Sequence, residues 1–342
     1  MMALEKFRAY MDLGRVQGVS LTAGVALIGA YTSTGSVEPI DWIYFTVIAF
    51  FAHMAGASFH EYCDMKLDVT VDTLKDKPLV TGTISPKTAL SLSMAMLVLS
   101  TVLTIYLYPI LMATIFFLLS GGVIAIYNLK LKRTPGICEV MVPLNGVFYT
   151  IYGLYAIGQP TSISYVMIAV IFIATVFDQW INEMKDVDTD SRFGIKSVPY
   201  LLKYRFGQKL TLTNPLIIYA LTLKFAFLIV YFLPILFDLV PPTDIYPLSL
   251  FGLPLYFFIF LVVGLPTQAY VIYLLFGKHT RGRWVKILVL DVESTVILGP
   301  ILIIDIVGWA IILYLILYIV LGYFVGSFLQ HGAELKFGKY ME

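Results

Sequence analysis

The chain has 342 residues, of which 59% are hydrophobic and 13% charged, whereas about 25% of the residues of a typical soluble domain are charged. This composition excludes a soluble globular enzyme. With 23 Lys and Arg against 22 Asp and Glu the net charge is +1, so no overall field attracts nucleic acid or another polyanion. The two cysteines, Cys63 and Cys138, stand at unrelated positions and are expected to form neither a disulfide framework nor a zinc-ligand set.

Ten apolar runs are long enough to cross a hydrocarbon core of about 30 Å, which takes about 20 residues. They are interpreted as helices because an open strand in lipid leaves backbone donors and acceptors unpaired, and no run alternates with the two-residue period of a barrel. The sequence therefore predicts an all-α polytopic transmembrane helix bundle that forms a single domain over 1–342. In chain order the predicted runs are 16–33, 42–59, 88–107, 109–127, 138–158, 163–182, 211–237, 246–277, 285–304 and 308–328.

Basic residues lie before the first run and after each even-numbered run, whereas the intervening loops carry Asp and Glu but no Lys or Arg. Because cytoplasmic loops of membrane proteins are enriched in Lys and Arg, both termini and every even-to-odd loop are expected in the cytoplasm. Lys224 is the basic residue farthest from that face, where a lone charge is costly. It is expected to pair with Asp291 or Glu293 of the ninth run as a structural contact.

One carboxylate pattern occurs twice, each time at the cytoplasmic end of an even-numbered run and at the start of a long polar loop, 60–87 or 183–210. It reads [His/Asn]-Glu-x-x-Asp-x-x-x-Asp and begins at His60 and at Asn182. On a helix that continues out of the membrane, positions i, i+3 and i+7 lie on one face. Each copy therefore presents an acidic stripe, formed by Glu61, Asp64 and Asp68 and by Glu183, Asp186 and Asp190.

Like charges at this spacing repel each other, more strongly beside an interior of low dielectric, so each stripe requires cations. Carboxylate oxygens suit hard divalent ions, above all Mg²⁺, which proteins hold with one or two carboxylates plus water and substrate phosphate oxygens. Two facing stripes would hold metal ions around a diphosphate. Basic residues on the same membrane face are candidates for binding its remaining oxygens, namely Lys77, Lys130, Lys132, Arg133, Arg192 and Lys196.

A solvated helix end is the alternative interpretation of each stripe taken alone. Asp72 and Asp76, which extend the first stripe, fit that alternative. Two copies that match position for position, both at helix ends, favour the metal–diphosphate site.

The two motifs resemble those of the UbiA superfamily of intramembrane prenyltransferases. The first is similar to Asn-x-x-x-Asp-x-x-x-Asp followed by a basic residue and a glycine, matched here by His60, Asp64, Asp68, Lys77 and Gly82. The second is similar to Asp-x-x-Asp-x-x-x-Asp-x-x-x-Gly, matched by Glu183, Asp186, Asp190 and Gly194. The stretch from Tyr127 to Arg133 and the position of Arg15 before the first run resemble further family features. The resemblance extends from about Arg15 to the ninth run.

The resemblance implies nine core helices, at about 15–304, with 308–328 as an additional C-terminal helix. It also implies Mg²⁺-dependent transfer of a prenyl group from an allylic isoprenyl diphosphate to a lipophilic acceptor within the membrane. Aromatic quinone precursors and glycerol-phosphate ether lipids are the expected acceptors, and tetrapyrroles and carotenoids are further acceptors within the family. A pair of Mg²⁺ ions, with Mn²⁺ as an alternative, would be held by Asp64, Asp68, Glu61, Glu183, Asp186, Asp190 and His60. The diphosphate would contact Lys77, Tyr127, Lys130, Lys132, Arg133, Arg192, Lys196 and Arg15.

The sequence departs from the family pattern at several motif positions. His60 replaces Asn, Glu61 and Glu183 replace Asp, and Lys77 replaces Arg. A histidine would reach a metal through a ring nitrogen, whereas Mg²⁺ prefers oxygen, so the ligand role of His60 stays open here.

The residue types explain why such chemistry is feasible. Breaking the allylic C–O bond leaves a diphosphate anion, and metal ions and basic side chains stabilise that charge. Asp64, Asp68, Asp186 and Asp190 are the expected catalytic carboxylates, with Asp68 as the candidate for removing the acceptor's proton.

Two other classes of membrane protein are also rich in carboxylates. A cation-coupled transporter is the main alternative, but its site normally lies near the bilayer midplane on interrupted helices, whereas these stripes lie at helix exits. A CDP-alcohol phosphatidyltransferase would carry a contiguous Asp-Gly and Ala-Arg signature, which does not occur here.

Overall fold

The computed structural model describes residues 2–70, 74–192, 194–237, 239 and 254–331. The helices are α1 (Met2–Leu13), α2 (Val19–Tyr31), α3 (Pro39–Asp68), α4 (Pro86–Leu107), α5 (Leu111–Leu129), α6 (Cys138–Ile157), α7 (Ser162–Arg192), α8 (Val198–Leu201), α9 (Pro215–Leu236), α10 (Leu255–Ile259), α11 (Leu265–Leu274), α12 (Arg281–Ile301), α13 (Ile304–Val307) and α14 (Trp309–His331). The short strands β1 (Lys209–Leu210) and β2 (Gly277–Lys278) pair antiparallel.

Helical structure corresponds to each of the ten predicted runs, which confirms the all-α bundle. In the eighth run, 246–277, the structure describes the part from residue 254, where α10 and α11 join through a π-helical turn at Phe260–Gly264 into one helix of 20 residues. Among the described residues, eight helices are long and apolar enough to cross a membrane, or nine when α1 and α2, which meet at 52°, count as one bent span. Helix α12 is 21 residues long but is not in that set, because Lys286, Asp291 and Glu293 make it too charged.

The two motif-bearing helices are longer than a membrane requires. Helix α3 has 30 residues and α7 has 31, which corresponds to about 45 Å each against a hydrocarbon core of about 30 Å. Their C-terminal turns therefore continue beyond the apolar runs at 42–59 and 163–182, as the stripe interpretation requires.

The C-terminal part of α7 is fixed by an apolar cluster on one of its faces. Trp180, Met184 and Val187 are buried there, with Tyr204 and Trp284 from the following segments. The indole Nε1 of Trp284 donates to the hydroxyl of Tyr204 at 2.8 Å. Because these α7 residues repeat with the helical period, Glu183 and Asp186 lie on a different face of the helix, which is free to line a cavity.

The predicted additional helix, α14, packs against α1, α2 and α12. The hydroxyl of Ser20 on α2 donates to the carbonyl oxygen of Ile319 at 2.9 Å, and the side-chain amide of Gln330 donates to Asp12 of α1. The last helix thus returns to the first span and fixes the N-terminal segment against the bundle.

A buried ion pair joins α9 to α12. Lys224 is 4% exposed and Asp291 is fully buried, and the ammonium of Lys224 contacts the Asp291 carboxylate. The Lys224 Nζ also lies 3.7 Å from the ring centroid of Phe177 on α7. This contact confirms the predicted pairing of Lys224 with the ninth run through Asp291; the side chain of Glu293 lies outside the described residues.

We expect Lys224→Met to lower the free energy of unfolding by about 3–5 kcal/mol, because it leaves the Asp291 carboxylate buried without its partner. The double variant Lys224→Met/Asp291→Leu removes both charges and is expected to recover most of that loss. Thermal unfolding of the purified variants in one detergent measures both effects. A single variant as stable as the original chain would contradict the structural role of the pair.

Candidate active site

The two acidic motifs line a single cavity of about 1000 Å³. Glu61, Asp64 and Asp68 face it from α3, and Glu183 and Asp186 face it from α7. The cavity wall therefore brings together two stripes that are far apart in the sequence.

Away from the carboxylates the cavity wall is largely apolar. Asn145 adds a polar group, since its side-chain oxygen accepts from the hydroxyl of Ser120 at 2.6 Å. The apolar lining comes mainly from α2 to α6 and includes Leu21, Val25, Ala52, Leu97, Phe117, Ile124 and Val142. Such a wall accommodates hydrocarbon beside a charged end.

Lys77 links two carboxylates of the first stripe. Its Nζ lies 2.8 Å from Glu61 Oε2 and 2.8 Å from Asp68 Oδ2. Burial disfavours the charged form of Lys77, but the negative charges of Glu61 and Asp68 outweigh it and hold the pKa of the ammonium above its ordinary value. Lys77 is therefore charged at neutral pH and lies at the carboxylate-lined end of the cavity.

A second lysine reaches the middle carboxylate of the same stripe. Lys132 Nζ lies 2.5 Å from Asp64 Oδ2, and His60 Nε2 lies 3.2 Å from the same oxygen. The other ring nitrogen of His60, Nδ1, lies 2.7 Å from the side-chain oxygen of Asn128. Both nitrogens of His60 thus have neighbours within the protein, and the ring fixes the position of Asp64.

Arg15 enters the cavity from a sharp bend between α1 and α2. Its guanidinium Nε donates to Glu61 Oε1 at 3.0 Å. Its backbone has φ 45° and ψ 48°, the left-handed region, which is strained for a residue other than glycine. His53 Nε2 lies 3.0 Å from the carbonyl oxygen of Arg15, so His53 holds this bend in place.

The second stripe has its own cations. Lys185 Nζ lies 2.9 Å from Asp186 Oδ2, and Arg281 Nη2 lies 3.3 Å from Asp186 Oδ1. Glu183 contacts no basic side chain within the described ranges and lies beside Cys138 and Glu139.

This donor set fits a divalent metal. Five carboxylates from two helices face one cavity, and carboxylate oxygens are the ligands that Mg²⁺ prefers. The lysine and arginine partners occupy positions that metal ions would take on these carboxylates, and the same basic side chains can bind diphosphate oxygens.

The structure separates the predicted site residues into three groups. Those that line the cavity are Arg15, His60, Glu61, Asp64, Asp68, Lys77, Tyr127, Lys132, Glu183 and Asp186. Lys130 and Lys196 are exposed and do not line it, which corrects their predicted contact with the diphosphate. The side chains of Arg133, Asp190 and Arg192, together with Asp72, lie outside the described residues.

Sequence reasoning missed Arg281, which lines the cavity and pairs with Asp186. It also missed Asn128, the partner of His60. Arg281 lies in one of the predicted basic cytoplasmic segments, which was the available signal. Its place in the cavity depends on the packing of α12 against α7, which is not visible in the sequence.

The sequence profile of the UbiA prenyltransferase family matches residues 20–288. The chain belongs to this family. The match extends from the first span into α12 and includes both carboxylate motifs. It stops before α14.

Relatives in the UbiA family share about a quarter of the aligned residues with this chain. The digeranylgeranylglyceryl phosphate synthase of Natronomonas pharaonis is 27% identical over 203 residues, which are 59% of this chain and 72% of that protein. The protoheme IX farnesyltransferase of Thioalkalivibrio sulfidiphilus is 27% identical over 195 residues, 56% of this chain and 65% of that protein. The chain is thus a UbiA-type prenyltransferase and not a cation transporter.

Solved UbiA structures share its fold. A homologue from Aeropyrum pernix superimposes with a TM-score of 0.65 at 16% identity over 85% of this chain and 99% of that one. A homologue from Archaeoglobus fulgidus, solved with GPP and Mg²⁺, gives a TM-score of 0.62 at 14% identity over 86% and 99%.

Proposed function

We propose that the chain transfers a prenyl group from an allylic isoprenyl diphosphate to a lipophilic acceptor in a Mg²⁺-dependent reaction within the membrane. The observation that carries this proposal is the convergence of two carboxylate stripes on a single cavity whose remaining wall is largely apolar. The cavity has a polar end that fits a diphosphate and an apolar extension that fits its hydrocarbon chain, so it suits a single amphipathic substrate.

In the proposal, metal ions are held between the two stripes. The ligands are Asp64 and Asp68 on one helix and Asp186 and Asp190 on the other, with Glu61 and Glu183 beside them. Mg²⁺ would be bound as a pair of ions. Mn²⁺ would substitute for Mg²⁺. Bound Mg²⁺ supplies stabilisation of the negative charge that develops on the leaving diphosphate. The structure of the Archaeoglobus fulgidus homologue with GPP and Mg²⁺ supports this assignment.

Three basic side chains are assigned to the diphosphate. Arg15, Lys77 and Lys132 all line the cavity and already contact its carboxylates. They hold positive charge where the leaving group gains negative charge as the allylic C–O bond breaks, which lowers the barrier to that step. Tyr127 also lines the cavity.

The acceptor then forms the new bond to the allylic carbon and gives up its proton. We assign that proton to a carboxylate oxygen of Asp68, which is 4% exposed and is held by Lys77. The apolar wall keeps water from the allylic cation and so prevents hydrolysis from competing with transfer.

The acceptor class and the membrane orientation belong to the same proposal. A relative named digeranylgeranylglyceryl phosphate synthase supports a glycerol-phosphate ether lipid as the first acceptor to test, with an aromatic quinone precursor as the second. The excess of Lys and Arg on one side supports a cytoplasmic location for both termini and both carboxylate motifs. Residues 15–304 would form the catalytic core of a single domain.

Removal of divalent metal tests the reaction directly. We expect purified chain with geranylgeranyl diphosphate and either acceptor to release diphosphate and form a prenylated lipid only when Mg²⁺ is present. EDTA should abolish both products, and excess Mg²⁺ should restore them. Mass spectrometry of the lipid extract measures the product, and a diphosphate assay measures the leaving group. Product formation that persists in EDTA would refute the proposal.

A further inference from the structure

A cluster of three metal-ligating side chains lies where α6 begins beside α7. One ligand atom each from Cys138, Glu139 and Glu183 lies within 4.8 Å of the others. All three residues are buried, with exposures of 3%, 1% and 6%. The thiol of Cys138 donates to Glu139 Oε2 at a sulfur–oxygen distance of 3.3 Å. A soft sulfur donor and hard carboxylate oxygens therefore lie close together in one buried cluster.

The negative charge of this cluster has no basic partner in the part of the chain that the structure describes. Glu139 Oε1 accepts from the backbone N–H of Val198 at 2.9 Å, and Glu183 Oε1 accepts from Gln179 at 3.5 Å. No donor reaches Glu183 Oε2, although this oxygen is buried. Every other carboxylate of the two stripes with a described side chain contacts Lys or Arg. The two buried carboxyl groups share a proton in the hydrogen bond between them, and a divalent cation can take the place of that proton.

A further unpartnered polar group lies in the same region. Ser197 is 2% exposed, and its hydroxyl has no hydrogen-bond partner. It directly precedes Val198, whose N–H binds Glu139. Ser197, Cys138 and Glu183 all line the cavity, so an ion can enter and an additional ligand can approach from that side.

We propose that Cys138, Glu139 and Glu183 form a binding site for a thiophilic divalent cation of the Zn²⁺ or Cd²⁺ class, which adjoins the Mg²⁺ site at Glu183 and differs from it in chemistry. Sulfur ligands select such ions against Mg²⁺. Tetrahedral Zn²⁺ with its usual bonds to sulfur and oxygen places those two ligand atoms about 3.6 Å apart, close to the 3.3 Å between Cys138 Sγ and Glu139 Oε2.

Binding at this site has a defined proton balance. The Cys138 thiol loses its proton to solvent, and the Glu139–Glu183 pair loses the proton that its two carboxyl groups share. The resulting thiolate forms one metal bond. The carboxylates of Glu139 and Glu183 supply two more ligands, and the fourth position faces the cavity. Neither the diphosphate nor the acceptor takes part in this binding. The site therefore goes beyond the proposed reaction, and metal binding to it can be measured in the absence of both substrates.

Cd²⁺ titration of the purified full chain tests the site, because a cadmium–thiolate bond gives a charge-transfer absorption in the near ultraviolet. The Cys63→Ser variant is the decisive sample, since it leaves Cys138 as the one remaining thiol. We expect one equivalent of Cd²⁺ to produce the band in the original chain and in Cys63→Ser, and excess Mg²⁺ to leave it in place. Glu139→Gln should weaken Cd²⁺ binding at least about tenfold.

Cys138→Ser should lose the band, with thermal unfolding as the check that it folds. Asp64→Asn is the matched control from the Mg²⁺ site. This variant should keep the cadmium–thiolate band while it loses transferase activity. A failure of the proposed cation site can therefore be distinguished from a failure of the proposed transferase function. Absence of the band in Cys63→Ser, or its displacement by Mg²⁺, would overturn the proposed site.

Discussion

Asp186→Asn is expected to lower kcat for prenyl transfer by about 10²–10³-fold, because the carboxylate is assigned to hold metal against the leaving diphosphate. Asp186 faces the cavity from α7 and already contacts Lys185 and Arg281. The amide has nearly the same shape but no negative charge. Initial rates at saturating allylic diphosphate and Mg²⁺ measure the effect, and Asp64→Asn on α3 should behave in the same way.

Asp188→Asn is the matched control. It removes the same charge from the same helix two residues later, but Asp188 is not part of the cavity wall. We expect its rate to stay within about twofold of the original, as for most surface substitutions. Equal losses in Asp186→Asn and Asp188→Asn would mean that the acidic helix end acts by its overall charge and not by metal binding.

The second large effect is expected for Lys132. Lys132 Nζ lies 2.5 Å from Asp64 Oδ2 in the cavity wall, where it is assigned to the diphosphate. We expect Lys132→Ala to lower kcat/KM for the allylic diphosphate by about 10²-fold, because one cation is lost where the leaving group gains charge. Steady-state kinetics with varied diphosphate at fixed Mg²⁺ measure it.

Lys130 provides a control two residues away. It is exposed and lies outside the cavity wall, so Lys130→Ala should leave kcat/KM within about twofold. A comparable loss in both variants would show that this loop contributes only general positive charge. Unchanged kinetics in Lys132→Ala would remove Lys132 from the site.

The sequence predicts the helices and the position of the motifs well, because both depend on local patterns. Apolar runs identify the membrane spans, and the i, i+3, i+7 spacing of Glu61, Asp64 and Asp68 requires only that α3 continues past residue 59. The pairing of Lys224 with the ninth run was also predictable, because a lone buried charge needs a partner.

The details of the site depend on contacts between distant segments, which the sequence does not reveal. Lys130, Lys132 and Lys196 are equivalent as basic residues near a motif, yet Lys132 alone of these three lines the cavity. Arg281 reaches Asp186 only because α12 packs against α7. The two cysteines gave no metal signal, because the partner carboxylate Glu183 lies on another helix than Cys138.

Anomalous diffraction from Mn²⁺, in crystals of the chain grown with a non-hydrolysable allylic thiolodiphosphate, tests most directly whether both motifs hold one metal–diphosphate cluster. We expect peaks inside the cavity within about 2.0–2.3 Å of carboxylate oxygens, with Asp64 or Asp68 from α3 and Asp186 from α7 around the same diphosphate. Peaks that contact carboxylates of one helix only, or that lie outside the cavity, would contradict a shared site.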